Sequence, residues 1–248
     1  MKLLVLVATL AFVAGCHDFD ALSWRYGVVD LGADMAGPSD LALSGNRDLS
    51  PPLDLASSDM TLVGHVSGGG VPTASVVDLT AAGALDWAHW GYANTDKTTI
   101  DRKATSASQI SDFTTVNGGS ATYANNPDGY SWTDGSPTPS VTSTTTGVFV
   151  AGAGAGFQLT VPASTVPRTL VVYVGGYRSN GKLTAALSDH SAPDYSDAGF
   201  QDFVDNIYGA TYTLTFNAAS AGQLLTITWT AASVVQDGNV SLQAAALE

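Results

Sequence analysis

The sequence has little of the material from which most catalytic and metal sites are built. Its 248 residues include one cysteine, four histidines and a single glutamate at position 248. A lone cysteine has no partner for a disulfide within the chain. No Gly-x-Ser-x-Gly, His-Glu-x-x-His or phosphate-loop motif occurs. A glycosidase could use two aspartates, but none lies in an apolar run that would favour acid catalysis. We therefore expect a protein that is not an enzyme.

Basic residues are also scarce. Nine Lys and Arg face twenty-two Asp and Glu, which gives a net charge of −13, and only 12% of all residues are charged. Nucleic-acid binding needs a basic face, and direct docking on anionic lipid headgroups needs one too. The composition therefore excludes both classes of partner. It is typical of an extracellular β-protein with polar, weakly charged faces.

Long apolar runs are absent except near the N-terminus. Lys2 precedes an apolar run, Leu3–Val13, and small residues lead from there to Cys16. The run is shorter than the roughly 20 residues of a membrane-spanning helix and is typical of a signal peptide. The segment resembles the lipobox of bacterial lipoproteins, which implies cleavage after residue 15 and acylation of Cys16. The alternative is a secreted protein with an incidental free thiol.

The resemblance to lipoproteins also implies a location. We expect an exported protein held at a membrane by its acyl chains. His17, rather than an aspartate, follows the cysteine, and this favours the outer membrane or the cell surface.

Residues 16–70 differ in composition from the rest of the chain. Asp-Leu or Asp-Met pairs recur six times between positions 30 and 60 without a helical or strand period, and prolines interrupt them. Mutual repulsion of the aspartates and the shortage of apolar groups predict a disordered tether, which ends in a glycine hinge at residues 68–70. A docking motif or a weak cation trap is the alternative to a plain spacer.

Residues 71–248 are predicted to form one all-β domain. Short runs rich in Val, Thr, Leu, Tyr and Phe alternate with turn residues, and several show the period of two that marks a half-buried antiparallel strand. The pattern favours a two-sheet antiparallel sandwich, most simply a jelly roll. We predict ten strands: Ala74–Leu79, Lys103–Ala107, Ala121–Tyr123, Val148–Ala151, Gly156–Val161, Arg168–Tyr177, Lys182–Leu187, Tyr212–Asn217, Leu224–Ala231 and Asn239–Ala245.

Four segments carry a resemblance to a known class. They are Leu85–Gly91, Gly129–Gly135, Arg168–Tyr177 and Leu187–Asp189, in that order. Together they resemble bacterial extracellular modules of the galactose-binding-domain class, many of which bind carbohydrate. The resemblance implies a jelly roll with a binding role, and it brings no ligand residues with it.

A first candidate site combines aromatic and polar side chains. Trp90, Tyr130 and Trp132 are candidates to stack on the C–H face of a sugar ring. Asn126, Asp128 and Asp134 are candidate acceptors for its hydroxyl groups. The turn residues around positions 125–135 indicate a loop or a tight hairpin. The alternative is that these rings fold back into the core.

A second group of candidates follows the predicted central strand. Tyr177 and Arg178 begin a predicted hairpin turn, where Arg178 could donate to a ligand or pair with an aspartate. The aspartates Asp189, Asp194 and Asp197 are oxygen-rich and form a weak candidate for calcium. Their spacing differs from that of an EF-hand loop, and a solvated acidic loop is the alternative.

The function expected from the sequence is recognition. We expect a membrane-anchored lipoprotein whose β-sandwich binds carbohydrate or a glycoconjugate without catalysis and without a cofactor, with structural calcium at the three aspartates only as the weak alternative. The alternative is an interaction protein of the cell envelope that contacts protein partners. The lipid anchor at Cys16 makes the membrane the best-supported partner.

Overall fold

The computed structural model describes residues 62–73, 76–92, 100–105 and 107–248. Cys16, the signal segment and the predicted tether up to residue 61 lie outside the described residues. Within the described part, nearly all regular structure is β. The predicted all-β sandwich of antiparallel strands is therefore confirmed.

Fifteen strands and one short helix make up the described regular structure. In chain order they are β1 His65–Pro72, β2 Val76–Asp78, α1 Leu79–Ala82, β3 Asp86–Trp90, β4 Ile100–Lys103, β5 Thr114–Val116, β6 Ser120–Tyr123, β7 Gly129–Trp132, β8 Gly135–Ser136, β9 Val141–Thr144, β10 Gly147–Ala151, β11 Gly156–Ala163, β12 Arg168–Leu187, β13 Tyr195–Asp197, β14 Gln201–Asn217 and β15 Gln223–Leu247.

Twelve of the described strands form one large antiparallel sheet. Its main path runs β1-β14-β12-β15-β3-β4-β8, while β10 and β11 also pair with β15, β6 with β10, β5 with β11 and β13 with β12. The long strands β12 and β15 pair with each other along most of their lengths. They are the central pair of strands in the large sheet.

The large sheet folds back on itself around a first core. Leu170 and Val172 in the first half of β12 share this core with Leu183 and Ala185 in its second half. The indole of Trp229, which pairs with the second half, donates to the carbonyl of Gly175 in the first half at 3.0 Å. Bulges in β12 between residues 177 and 181 permit this bend.

A second sheet covers part of the outer face of β12. Strands β2, β7 and β9 form it, with β2 parallel and β9 antiparallel to β7. Because side chains alternate along a strand, Val171 and Tyr173 point away from the first core. They pack with Tyr130 and Trp132 of β7 in a second core.

Asp78 explains the position of the helix α1. Its carboxylate accepts hydrogen bonds from the backbone N–H groups of Thr80 at 3.0 Å and Ala81 at 3.3 Å, as an N-cap does. The helix has four residues. Across the described residues, no helix is long and apolar enough to cross a membrane.

Several predicted boundaries differ from the structure. The glycines at 68–70, predicted as a hinge of the tether, lie in β1 and pair with β14. The strand predicted at Lys103–Ala107 overlaps the observed strand β4 only at Lys103, where β4 ends. The hairpin predicted at Tyr177–Gly181 does not exist, because β12 continues through this stretch by bulges. Leu224–Ala231 and Asn239–Ala245 likewise belong to the single strand β15.

Candidate functional site

The three aromatic side chains that were predicted from the sequence to stack on a sugar ring are buried in the structure. Trp90, Tyr130 and Trp132 are all 0% exposed. Trp132 packs against Trp87 with ring centroids 5.3 Å apart, and Tyr130 packs against Tyr173 at 5.6 Å. A ring without exposed surface cannot stack on a ligand. The prediction that these rings bind a sugar is therefore wrong, and the alternative of a core role is correct.

Asp134 is occupied by protein donors. One carboxylate oxygen accepts from the Thr80 hydroxyl at 2.7 Å and from the Trp87 indole at 2.9 Å, and the other accepts from Lys103 Nζ at 2.7 Å. Burial favours a higher pKa for Asp134, but the hydrogen bonds from Lys103, Thr80 and Trp87 together lower the pKa below its ordinary value. Asp134 thus stabilises the second core, and its predicted role as an acceptor for sugar hydroxyls is wrong.

Asn126 is also turned inward. It is 4% exposed, and its amide nitrogen donates to the carbonyl of Asp128 at 3.0 Å. Its side-chain oxygen accepts from the hydroxyl of Tyr123 at 3.4 Å and from the amide of Gln243 at 3.5 Å. Asn126 therefore orients its neighbours rather than facing a ligand, which corrects the direct role predicted for it.

A groove of about 370 Å³ opens on the outer face of the large sheet. Three partly exposed aromatic side chains line it, and Asn125, Asn239 and Ser241 add amide and hydroxyl groups. The aromatic members are Tyr123, Phe149 and Tyr177. The groove thus combines apolar surfaces with neutral hydrogen-bonding groups, as small-molecule sites generally do.

Strand register explains why these residues meet. Tyr177 on β12 pairs with Asn239 on β15, and Ser241, two residues further along β15, pairs with Phe149 on β10. Tyr177 lies on the same face of β12 as Tyr173, which the second sheet covers. The groove is therefore the uncovered continuation of the face that elsewhere forms the second core.

Arg178 supports one wall of the groove. Its guanidinium carbon lies 5.0 Å from the centroid of the Tyr177 ring. One guanidinium nitrogen donates to the carboxylate of Asp237 at 2.7 Å and to the side-chain oxygen of Gln236. The hydrogen bond from Arg178 lowers the pKa of Asp237. Of the two roles that the sequence leaves open for Arg178, the structure thus shows pairing with an aspartate.

The backbone at this wall is strained. Arg178 has φ of 48° and Gln236 has φ of 55°, a region that non-glycine residues seldom adopt. Strain of this kind persists where surrounding contacts hold it, often beside functional sites. Here the contacts of Arg178 hold it, and they place the ring of Tyr177 at the groove.

Tyr123 and Phe149 form the opposite wall. Their rings meet edge to face with centroids 6.3 Å apart. The amide of Gln243 donates both to the Tyr123 hydroxyl and to Ser241 Oγ, the latter at 2.9 Å. Burial raises the pKa of Tyr123 to about 12, so this hydroxyl keeps its proton at neutral pH.

A buried carboxylate lies next to this polar network. Asp128 is 7% exposed, and one of its carboxylate oxygens has no hydrogen-bond partner among the described residues. Burial raises the pKa of Asp128. The carboxylate approaches Gly209 so closely that a Cβ at position 209 would overlap it. Glycine at this position therefore permits the arrangement.

His89 is buried among the aromatic rings of the second core. It is 0% exposed, with ring centroids 5.1 Å from Trp132 and 5.7 Å from Tyr130. Within the described residues neither ring nitrogen has a hydrogen-bond partner. Burial lowers the pKa of His89 to about 3, and the nearby backbone of Thr146 opposes this shift only in part. His89 is therefore neutral at ordinary pH.

The candidate calcium ligands lie in separate hydrogen-bonding arrangements. Asp189 accepts from the backbone and hydroxyl of Ser191, and Asp197 accepts from the hydroxyl of Tyr212 at 2.6 Å. Asp194 is exposed. No group of three or more His, Cys, Asp or Glu side chains in the described part of the chain could hold a metal ion.

Comparison with known proteins adds little to this site. No family model matches the chain, and no curated protein sequence matches it. Among solved structures, the chain is similar to the enzymatically active domain of tailspike protein 4 from bacteriophage CBA120. The match has 12% identity and a TM-score of 0.34, and it covers 55% of this chain and 19% of that one. The matched region is thus a small part of the tailspike domain, and the likeness supports no argument about activity.

Proposed function

We propose that this protein is a lipid-anchored surface protein whose β-sandwich binds carbohydrate in the groove between Tyr177 and Phe149, without catalysis. The observation that carries the proposal is the lining of the groove. Aromatic rings pack well against the C–H faces of sugars, while the amides of Asn125 and Asn239 suit sugar hydroxyls. The proposal keeps the ligand class expected from the sequence and moves its site.

The chemistry of the lining supports binding without catalysis. Among the described lining residues there is no carboxylate or imidazole that could serve as a general acid or base. Tyr123 in the second wall has its pKa raised by burial to about 12, which keeps it protonated. A groove of this composition can hold a ligand and has little means to transform it.

The anchor in this proposal rests on the sequence around Cys16. Acylation there would attach the protein to a membrane, because each buried methylene contributes about 0.8 kcal/mol and two or more chains anchor stably. Cys16→Ser should move the protein from the membrane fraction to the soluble fraction. Retention of the variant in the membrane, with no accumulation of unprocessed protein, would overturn the anchor.

Binding is tested with the full chain carrying Cys16→Ser, screened on an array of neutral and acidic glycans. We expect binding to neutral glycans that is weakened in Tyr177→Ala and in Phe149→Ala. Phe203→Ala is the matched control, because Phe203 is an exposed aromatic residue of β14 outside the groove lining. Failure of the protein to bind any glycan, or equal losses in the control, would reject the proposal.

A further inference from the structure

The groove has two aromatic walls rather than one continuous platform. Tyr177 forms the first wall, and Phe149 with Tyr123 forms the second. We propose that each wall receives one sugar ring, so that the groove selects a disaccharide unit of an uncharged glycan. This inference rests on the proposed function and adds the length and the charge of the ligand.

The spacing of the walls follows from the strand register. β15 lies between β12, which carries Tyr177, and β10, which carries Phe149. The walls are therefore two strand spacings apart, about 10 Å. Their partners on β15 are two residues apart, which adds about 7 Å along the strand. Together these offsets separate the backbones of Tyr177 and Phe149 by about 12 Å, so a ligand that contacts both rings must extend along the groove.

The floor between the walls is low and polar. Gly176 and Ser241 are small, and Asn239 lies opposite Tyr177 on β15. A ligand that contacts both walls must pass over this stretch. The Asn239 amide is thus placed to bond hydroxyl groups near the linkage between two sugar rings.

The charges around the groove disfavour an acidic sugar. No lining residue that the structure describes is charged. The guanidinium of Arg178 is engaged by Asp237 and lies against Tyr177. The whole chain carries a net charge of −13. An anionic ligand would meet net repulsion here, whereas a neutral ligand would not.

Calorimetric titration of the full chain carrying Cys16→Ser tests both parts of the inference. The probes are glucose, galactose, mannose and N-acetylglucosamine, a β1,4- and an α1,4-linked disaccharide of each, and the matching disaccharides with one uronic acid ring. We expect at least one neutral disaccharide to bind about tenfold tighter than its monosaccharide. Its uronic counterpart should bind about tenfold weaker.

The variants separate the two walls. Tyr177→Ala and Phe149→Ala should each reduce the affinity for the disaccharide to that of the monosaccharide, while Phe203→Ala should leave it unchanged. Equal affinities for monosaccharide and disaccharide would overturn the two-ring arrangement, and equal affinity for the uronic form would overturn the charge selectivity. Absence of binding by every probe would overturn the proposed function itself, so the two failures are distinguishable.

Discussion

Replacing Asp134 tests whether this residue stabilises the fold or binds a ligand. Its carboxylate accepts from Thr80, from the buried indole of Trp87 and from Lys103. A hydrogen bond to a charged group contributes about 1.5–3 kcal/mol, and a buried donor left unpaired costs about 1–3 kcal/mol. Because the three contacts share one carboxylate and are not additive, we expect Asp134→Ala to lower the free energy of unfolding by about 3–5 kcal/mol.

The assay is urea unfolding followed by tryptophan fluorescence, with the affinity for a glycan measured on the same samples. Asp134→Asn keeps the shape and one acceptor, so we expect a smaller loss of about 1–3 kcal/mol. Both variants should bind the glycan as the parent does, because Asp134 lies outside the groove lining. A stability change below about 0.5 kcal/mol would show that Asp134 does not stabilise the fold, and a selective loss of affinity would show that it binds the ligand instead.

The pH dependence of the stability difference between the parent and Asp134→Asn gives a further check. The pKa of Asp134 is lowered in the folded protein, so the unfolded state binds a proton more readily. The stabilising contribution is therefore fully present above the unfolded pKa of about 3.9 and is lost as the pH falls through the folded pKa. The stability difference between parent and Asp134→Asn should shrink below about pH 4. A constant difference down to pH 2 would contradict this.

Three further predictions concern stability, each measured by denaturant unfolding. The parent should lose about 2 kcal/mol of its free energy of unfolding between pH 7 and pH 5, because the pKa of buried His89, about 3, lies below its unfolded value and only the unfolded state takes up the proton. His89→Phe should not show this loss. Parallel pH profiles for the parent and the variant would argue against this. Gly181→Ala should cost about 1–3 kcal/mol, since a Cβ there would overlap the Trp229 ring, and an unchanged midpoint would contradict it. Tyr212→Phe should cost about 1 kcal/mol through loss of its bond to Asp197, whereas no loss would show that this bond contributes nothing net.

The alternation of apolar and polar residues was enough to predict the class of fold. Strands such as Gly156–Val161 and Tyr212–Asn217 lie within observed strands of the sheet. The same reasoning missed the continuity of β12 and β15, because glycine and polar residues occur in both turns and bulges, so the sequence pattern does not distinguish the two. The pairing partners that distinguish a bulge from a turn are far away in sequence.

The predicted site failed for a related physical reason. Tyr130 and Trp132 are flanked by turn residues in the sequence, yet β7 lies in the middle of the second sheet and faces the large sheet. Nothing local indicates that a second sheet covers that face. Tyr177 was a sequence candidate because it ends the apolar run of the predicted central strand, and the structure places it in the lining of the groove. Phe149 and Ser241 could be found only through the register that joins β10 to β15.

A map of amide chemical shifts for the full chain carrying Cys16→Ser, titrated with a neutral disaccharide, shows directly which surface binds the sugar. We expect the largest saturable shifts at Tyr177, Asn239, Ser241 and Phe149, around the groove, and little change near Trp132 in the second core. Saturable shifts confined to another surface, such as that around Val71 and Val76, would show that the groove is not the binding site.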